Sequence, residues 1–143
     1  MKPFFRRMQT DKDWEDVNRL LPILRVEDTT GIVAVNSEGV LVAACVMDNW
    51  TENSVQCHLL LDDISVIRYG FLDLCFDFIF NRNGRKVMYG LVPGNNSKAL
   101  KLNKHLGFTE KCRFEGAFED NVDYVIMELK KENCKYISFA EAG

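Results

Sequence analysis

The run Leu91-Val92-Pro93-Gly94-Asn95-Asn96-Ser97-Lys98-Ala99-Leu100, closed a few residues later by Leu106-Gly107-Phe108, decides the fold of this chain. A β-branched strand from Val87 ends where Pro93 removes a ladder donor and Gly94 allows a turn. Asn95, Asn96 and Ser97 are capping residue types, so a helix starts there and leaves free amides at one end of a sheet. In that helix Ala99, Leu102 and Leu106 fall on one side and the lysines on the other, and Gly107 supplies the left-handed residue that stops it.

Upstream, Ser54 to Leu61 is apolar on both faces and reads as a central strand. Between the two strands Ile67, Phe71, Leu74, Cys75, Phe78 and Ile79 follow a helical period, terminated by Asn81-Arg82-Asn83-Gly84. Nearer the start, Phe4 to Met8 reads as a strand, and Thr10-Asp11-Lys12-Asp13 as a helix cap with acids at its positive end. Trp14, Val17, Leu20, Leu21 and Leu24 continue that helix as an apolar stripe. Gly31 to Val35 and Val40 to Met47 form a hairpin about Asn36-Ser37-Glu38-Gly39. Downstream, Phe108 to Phe114 and Val122 to Leu129 are strands joined by Glu119-Asp120-Asn121. The order βαββ-β-αβαββ predicts an α/β (α+β) domain, a mixed sheet with helices on both faces, over residues 1–133, with 134–143 as a tail.

Composition bounds the function. The chain has 143 residues, 47% of them hydrophobic, and a formal net charge of −3. That suffices for one core and falls short of two ordinary domains. The one basic cluster, Lys98, Lys101, Lys104 and His105, is short and does not point to nucleic acid; it reads as a hold for an anionic cofactor or as a solvated face. No apolar stretch reaches the length of a membrane span, and the N-terminus lacks a signal core. Cys45, Cys57, Cys75, Cys112 and Cys134 are odd in number and widely spaced, which reads as reduced thiols in a cytoplasmic protein.

The segment from about Ser54 to Phe108 resembles the acetyl-coenzyme-A-binding half of the GNAT family of N-acetyltransferases. The resemblance lies in Val92-Pro93-Gly94-Asn95-Asn96-Ser97-Lys98-Ala99, in Leu106-Gly107-Phe108, and in Glu115-Gly116 with the strand Asp123 to Leu129, which look like the ending of ribosomal-protein-type acetyltransferases. It implies a mostly antiparallel sheet whose two central strands splay apart to hold acetyl-CoA. It further implies transfer of an acetyl group to a primary amine of a protein or small molecule; a homodimer stands as an open alternative to a monomer. Leu59, Leu60 and Leu61 would meet the cofactor through their backbone, and Asn96, Arg68 and Lys98 through their side chains. Each polar residue also has a plain structural reading: Asn96 as the helix cap, Arg68 as a first-turn surface residue, Lys98 as part of a solvated face.

Two features depart from the family pattern. The glycine-rich phosphate loop is replaced by Asp62-Asp63-Ile64-Ser65-Val66-Ile67-Arg68-Tyr69-Gly70, with acids and β-branched residues where bare amides are needed. Asn103 stands where many members carry a tyrosine that protonates the leaving thiolate, and an amide is no general acid. Tyr89, Tyr124 and Tyr69 are substitutes in principle. His58 is the natural base for an attacking amine, with a structural histidine as the other reading; Glu52 and Asp48 are alternatives acting through water. No metal-ligand pattern is present. Two functions therefore stand side by side: an active N-acetyltransferase, and a GNAT-fold binding or assembly protein without activity, comparable to short GNAT-like proteins of tailed phages.

Overall fold

A computed structural model describes residues 2–137. Its elements are β1 (Phe4–Arg7), α1 (Asp11–Leu20), β2 (Thr30–Val35), β3 (Leu41–Asp48), β4 (Ser54–Leu61), α2 (Phe71–Asp77), β5 (Val87–Pro93), α3 (Ser97–Leu106), β6 (Thr109–Glu119) and β7 (Val122–Lys130). The seven strands form one sheet in the order β1-β2-β3-β4-β5-β7-β6. Every neighbouring pair is antiparallel except β4 with β5, which run parallel.

That one parallel pair is where the sheet parts. β4 and β5 pair only over Ser54↔Val87, Val55↔Met88 and Gln56↔Tyr89, and beyond Gln56 they diverge. β3 stays paired with β4 out to Leu61, and β7 with β5 out to Pro93, so the sheet parts along one seam. Main-chain groups of β4 that point towards β5 past Gln56 face this seam instead of a ladder partner. The splayed central strands expected from the sequence are present.

Helices cover both faces. On one face Trp14 and Val17 of α1, with Ile23, pack on Val33, Ala44 and Val46. On the other, α2 and α3 pack on Cys45, Met47, Val55, Cys57, Met88 and the β7 residues Val125, Met127 and Leu129. Alternation along the strands sends successive residues to opposite layers, so β3 is buried throughout.

The apolar stripes of α1 and α2 differ in detail from the sequence reading. α1 ends at Leu20, and Leu20 and Leu24 are exposed while Ile23 turns inward. In α2, Phe71, Leu72, Cys75, Phe76, Ile79 and Phe80 are buried, whereas Leu74 is 41% exposed and Phe78 only half-buried. The segment is apolar almost all round, so its period alone cannot choose a face. The observed set is an i, i+3, i+4, i+7, i+8 stripe rotated by one position. α2 runs on into a wider π turn over Phe78–Arg82, which carries Ile79 and Phe80. Phe78 takes the guanidinium of Arg7 over its ring, 4.9 Å from the centroid.

Cys134 is buried, and Tyr136 packs edge-on against Phe76, so the chain after β7 continues onto the core as far as Ile137. The rest of the segment assigned to a tail, residues 138–143, lies outside the described residues.

The start of α1 is held by a buried carboxylate. Asp13 accepts two hydrogen bonds from the Arg6 guanidinium, at 2.8 and 2.9 Å, and others from the amides of Gln9 and Thr10, while Thr10 caps the helix in return. The Arg6 hydrogen bonds, aided by these amides, hold the Asp13 carboxyl far below the usual carboxylate range. A depressed folded-state pKa gives stability that is present above the unfolded-state value, near 4, and is lost as the pH falls towards the folded-state value. Asp13→Asn should cost roughly 2 kcal/mol at neutral pH, below the range for a fully buried pair because Arg6 is partly exposed. Urea unfolding at a series of pH values checks this: the gap between wild type and variant should close as the solution is acidified below about pH 4.

Candidate active site

The seam between β4 and β5 opens a cleft of about 130 Å³ lined by Leu21, Cys57, His58, Leu59, Gly90, Leu91, Val92, Pro93, Asn96, Ala99, Asn103 and Phe108. Its wall is drawn from both sides of the sheet. Leu21, at the end of α1, and His58, directly opposite Val46 of the α1 layer, come from one face. Ala99 and Phe108 belong to the α2–α3 layer. The cleft thus draws its wall from both faces of the sheet. Gly90 leaves this point of the wall uncrowded, since a Cβ there would stand 3.2 Å from the Cys57 carbonyl oxygen.

His58 is the imidazole in this wall. Its Nε2 lies 3.0 Å from Oδ2 of Asp48, which is 5% exposed. A carboxylate can only accept, so this contact places a proton on Nε2 and leaves Nδ1 with the lone pair. Asp48 and His58 are two residues out of register on neighbouring antiparallel strands, a diagonal pair on one face. The second oxygen of Asp48, Oδ1, is buried without a hydrogen-bond partner among the described residues. Nearby, the Asn49 side-chain amide donates to Gln56 at 2.7 Å. Tyr89, which pairs with Gln56 at the closed end of the seam, has its phenol pKa raised by burial and by the charge of Asp48.

Asp48 had been read from the sequence as a rival base; the geometry makes it the partner of His58. The β3–β4 register sets this pairing: with Val46 opposite His58, Asp48 stands diagonal to it. Glu52 is exposed in the loop and outside the cleft wall. Tyr69 is also outside it, 38% exposed.

Asn96 lies in the cleft wall and is also the N-cap of α3: its side-chain oxygen accepts from the Ala99 amide at 3.1 Å. Its side-chain NH₂ remains for another acceptor. Leu59 lines the cleft, while Leu60 packs towards α1 and Leu61 towards the opposite layer. Lys98 is exposed and does not line the cleft. Asn103 is in the wall, where its amide donates back to the Ala99 carbonyl at 2.8 Å. Cys57 in the wall and Cys45 lie with sulfurs 3.4 Å apart, and burial helps push both thiols well up.

The segment after β4 folds into a 3₁₀ turn over Ile64–Ile67, capped by Asp63, before Gly70 adopts a left-handed conformation and α2 begins. Arg68 is exposed beside it. No group of three or more metal-ligating side chains occurs among the described residues, and no helix among them is long and apolar enough to cross a membrane.

No protein-family model matches the sequence, and no curated protein is detectably similar to it in sequence. Solved structures are similar in fold. The spermidine/spermine N-acetyltransferase SpeG from Vibrio cholerae superposes with a TM-score of 0.73 at 13% identity, over 90% of this chain and 92% of that one. Spermidine N-acetyltransferase from the same organism, in complex with CoA and spermine, gives 0.73 at 13% over 92% and 97%. An acetyltransferase assigned to the GNAT family from Desulfovibrio desulfuricans gives 0.71 at 12% over 90% and 98%. Joined to the parted β4–β5 seam, these likenesses give the architecture its name: the chain has the GNAT fold.

Proposed function

We propose that the protein is an N-acetyltransferase that carries an acetyl group from a coenzyme A thioester to a primary amine. The observation that carries this reading is the cleft itself, walled from both faces of the sheet, with a carboxylate-oriented imidazole in its wall. The residues present fit the pantetheine portion of the donor. Unpaired main-chain groups along Cys57 to Leu61 can bond its amides as an added strand would, and Asn96 and Gly90 border the same slot. The donor supplies an activated acyl carbon. His58 Nδ1 takes the proton from the incoming nitrogen, and Asp48 holds the ring in that tautomer and stabilises the imidazolium that results. The leaving sulfur takes its proton from solvent, since Asn103 cannot supply one. The slightly acidic chain and the Asp48 carboxylate suit a cationic acceptor, and the spermine bound by a structure of this fold makes polyamines the first amines to try.

Release of free thiol from acetyl-CoA, dependent on added spermidine, a lysine peptide or a peptide with a free N-terminus, tests the reaction. Thermal stabilisation by acetyl-CoA tests the binding separately, since a ligand bound only by the native state must raise its apparent stability. Asn96→Ser, which preserves the cap, should weaken acetyl-CoA binding by about three- to tenfold with little change in melting temperature. Loss of stability without loss of affinity would reduce Asn96 to a cap.

The second reading, a binding or assembly protein without transfer activity such as a phage might encode, is favoured by the segment after β4, whose amides are engaged internally. Acetyl-CoA binding without thiol release in the presence of any amine would select it.

A further inference from the structure

We propose that the chain recognises its acyl donor through the pantetheine arm alone, so that thioesters of pantetheine lacking the nucleotide serve it as well as coenzyme A thioesters do. The inference rests on the acyltransferase reading of the cleft and concerns which part of the donor is held.

A diphosphate at the end of a β-strand needs backbone amides free to point at it and a local field that favours negative charge. Between Asp62 and Gly70 most of the amides are engaged and acids outnumber cations. The amides of Asp62 and Asp63 both donate to the Val42 carbonyl at 3.0 Å, tying the turn back to the start of β3. The Ser65 amide donates to the Asp63 carboxylate at 3.0 Å. Val66, Arg68, Tyr69 and Gly70 donate to the carbonyls of Asp63, Ser65, Val66 and Ile67 in turn. These donors are already spent on the turn's own fold. The charge is also of the wrong sign: Asp62 and Asp63 are exposed against the single cation of Arg68, and the Ser65 hydrogen bonds keep the Asp63 carboxyl ionised to lower pH than usual. Ile64 in the same turn is 61% exposed, an apolar side chain that offers a phosphate no hydrogen bond.

The other half of the site is intact. The seam, Gly90 and the side-chain NH₂ of Asn96 all border the cleft. Lys98 is exposed outside the cleft wall, so it does not replace the missing cradle there. A donor held by its arm gains nothing from its nucleotide.

Calorimetric titration of the full chain with coenzyme A, with pantetheine and with adenosine 3′,5′-bisphosphate tests this. The expected result is that the first two bind with dissociation constants within about threefold of each other, while the bisphosphate gives no heat at millimolar concentration. Coenzyme A binding more than about tenfold tighter than pantetheine, with the bisphosphate also binding, would overturn the inference and leave the acyltransferase reading standing. Binding of neither pantetheine compound would remove both. Asp63→Asn keeps an oxygen to cap the turn and removes one charge. It should tighten coenzyme A about two- to fivefold and leave pantetheine unchanged, because only the nucleotide end feels that field. An equal effect on both ligands, or none on either, would contradict the proposal.

Discussion

His58→Gln should lower the turnover of acetyl transfer by about 100-fold or more while leaving the affinity for acetyl-CoA nearly intact. Glutamine keeps a polar side chain of similar reach but cannot take a proton. The wild-type rate should rise with pH through a single ionisation, and that rise should vanish in the variant. Asp48→Asn offers a graded companion: the ring stays in place, but an amide partner no longer fixes the tautomer or stabilises the imidazolium, so a loss of about 10- to 100-fold is expected. Because Asp48 acts through His58, its loss should change the pH profile as well as the rate, with KM for the donor unmoved. A merely structural pair predicts the reverse, namely loss of stability with an unchanged rate per folded molecule.

Phe76→Ala should destabilise the domain by about 3–5 kcal/mol, the largest stability effect expected from a single truncation here. Phe76 is fully buried in α2 and meets Phe108 and Tyr136 edge-on, with centroids 6.4 and 5.6 Å away. It joins the helix to the start of β6 and to the segment after β7, so the void it leaves lies between three parts of the chain that cannot easily collapse together. Leu74→Ala, on the exposed side of the same helix, should change stability by about 0.5 kcal/mol or less. Urea denaturation of the two variants separates the observed stripe from the one the bare periodicity suggests, which placed Leu74 in the core and left out Phe76.

The contrast between Leu74 and Phe76 shows what the sequence could and could not convey. Element order, the hairpin at Asn36 to Gly39, the stop at Pro93 and the cap at Asn96 are local signals, and each was legible. The divergence of β4 from β5 followed from the resemblance and is observed in the register. The face of α2 was not legible, because hydrophobic residues surround that helix and only the sheet and the π turn choose among them. Nor was the bond between His58 and Asp48, since it depends on strand register, a relation between segments. The turn after β4 was readable as poor in glycine, but the bonds of the Asp62 and Asp63 amides to the Val42 carbonyl depend on how β3 and β4 lie together.

The central claim is that the β4–β5 seam is the donor's slot, and amide chemical-shift mapping by NMR during titration with acetyl-CoA tests it most directly. The account predicts saturable shifts at Leu59 to Leu61 on β4, at Gly90 and Leu91 on β5 and at Asn96, with Asp62 to Ser65 moving little. Shifts clustered away from the seam, or no saturable shifts at millimolar acetyl-CoA, would contradict it.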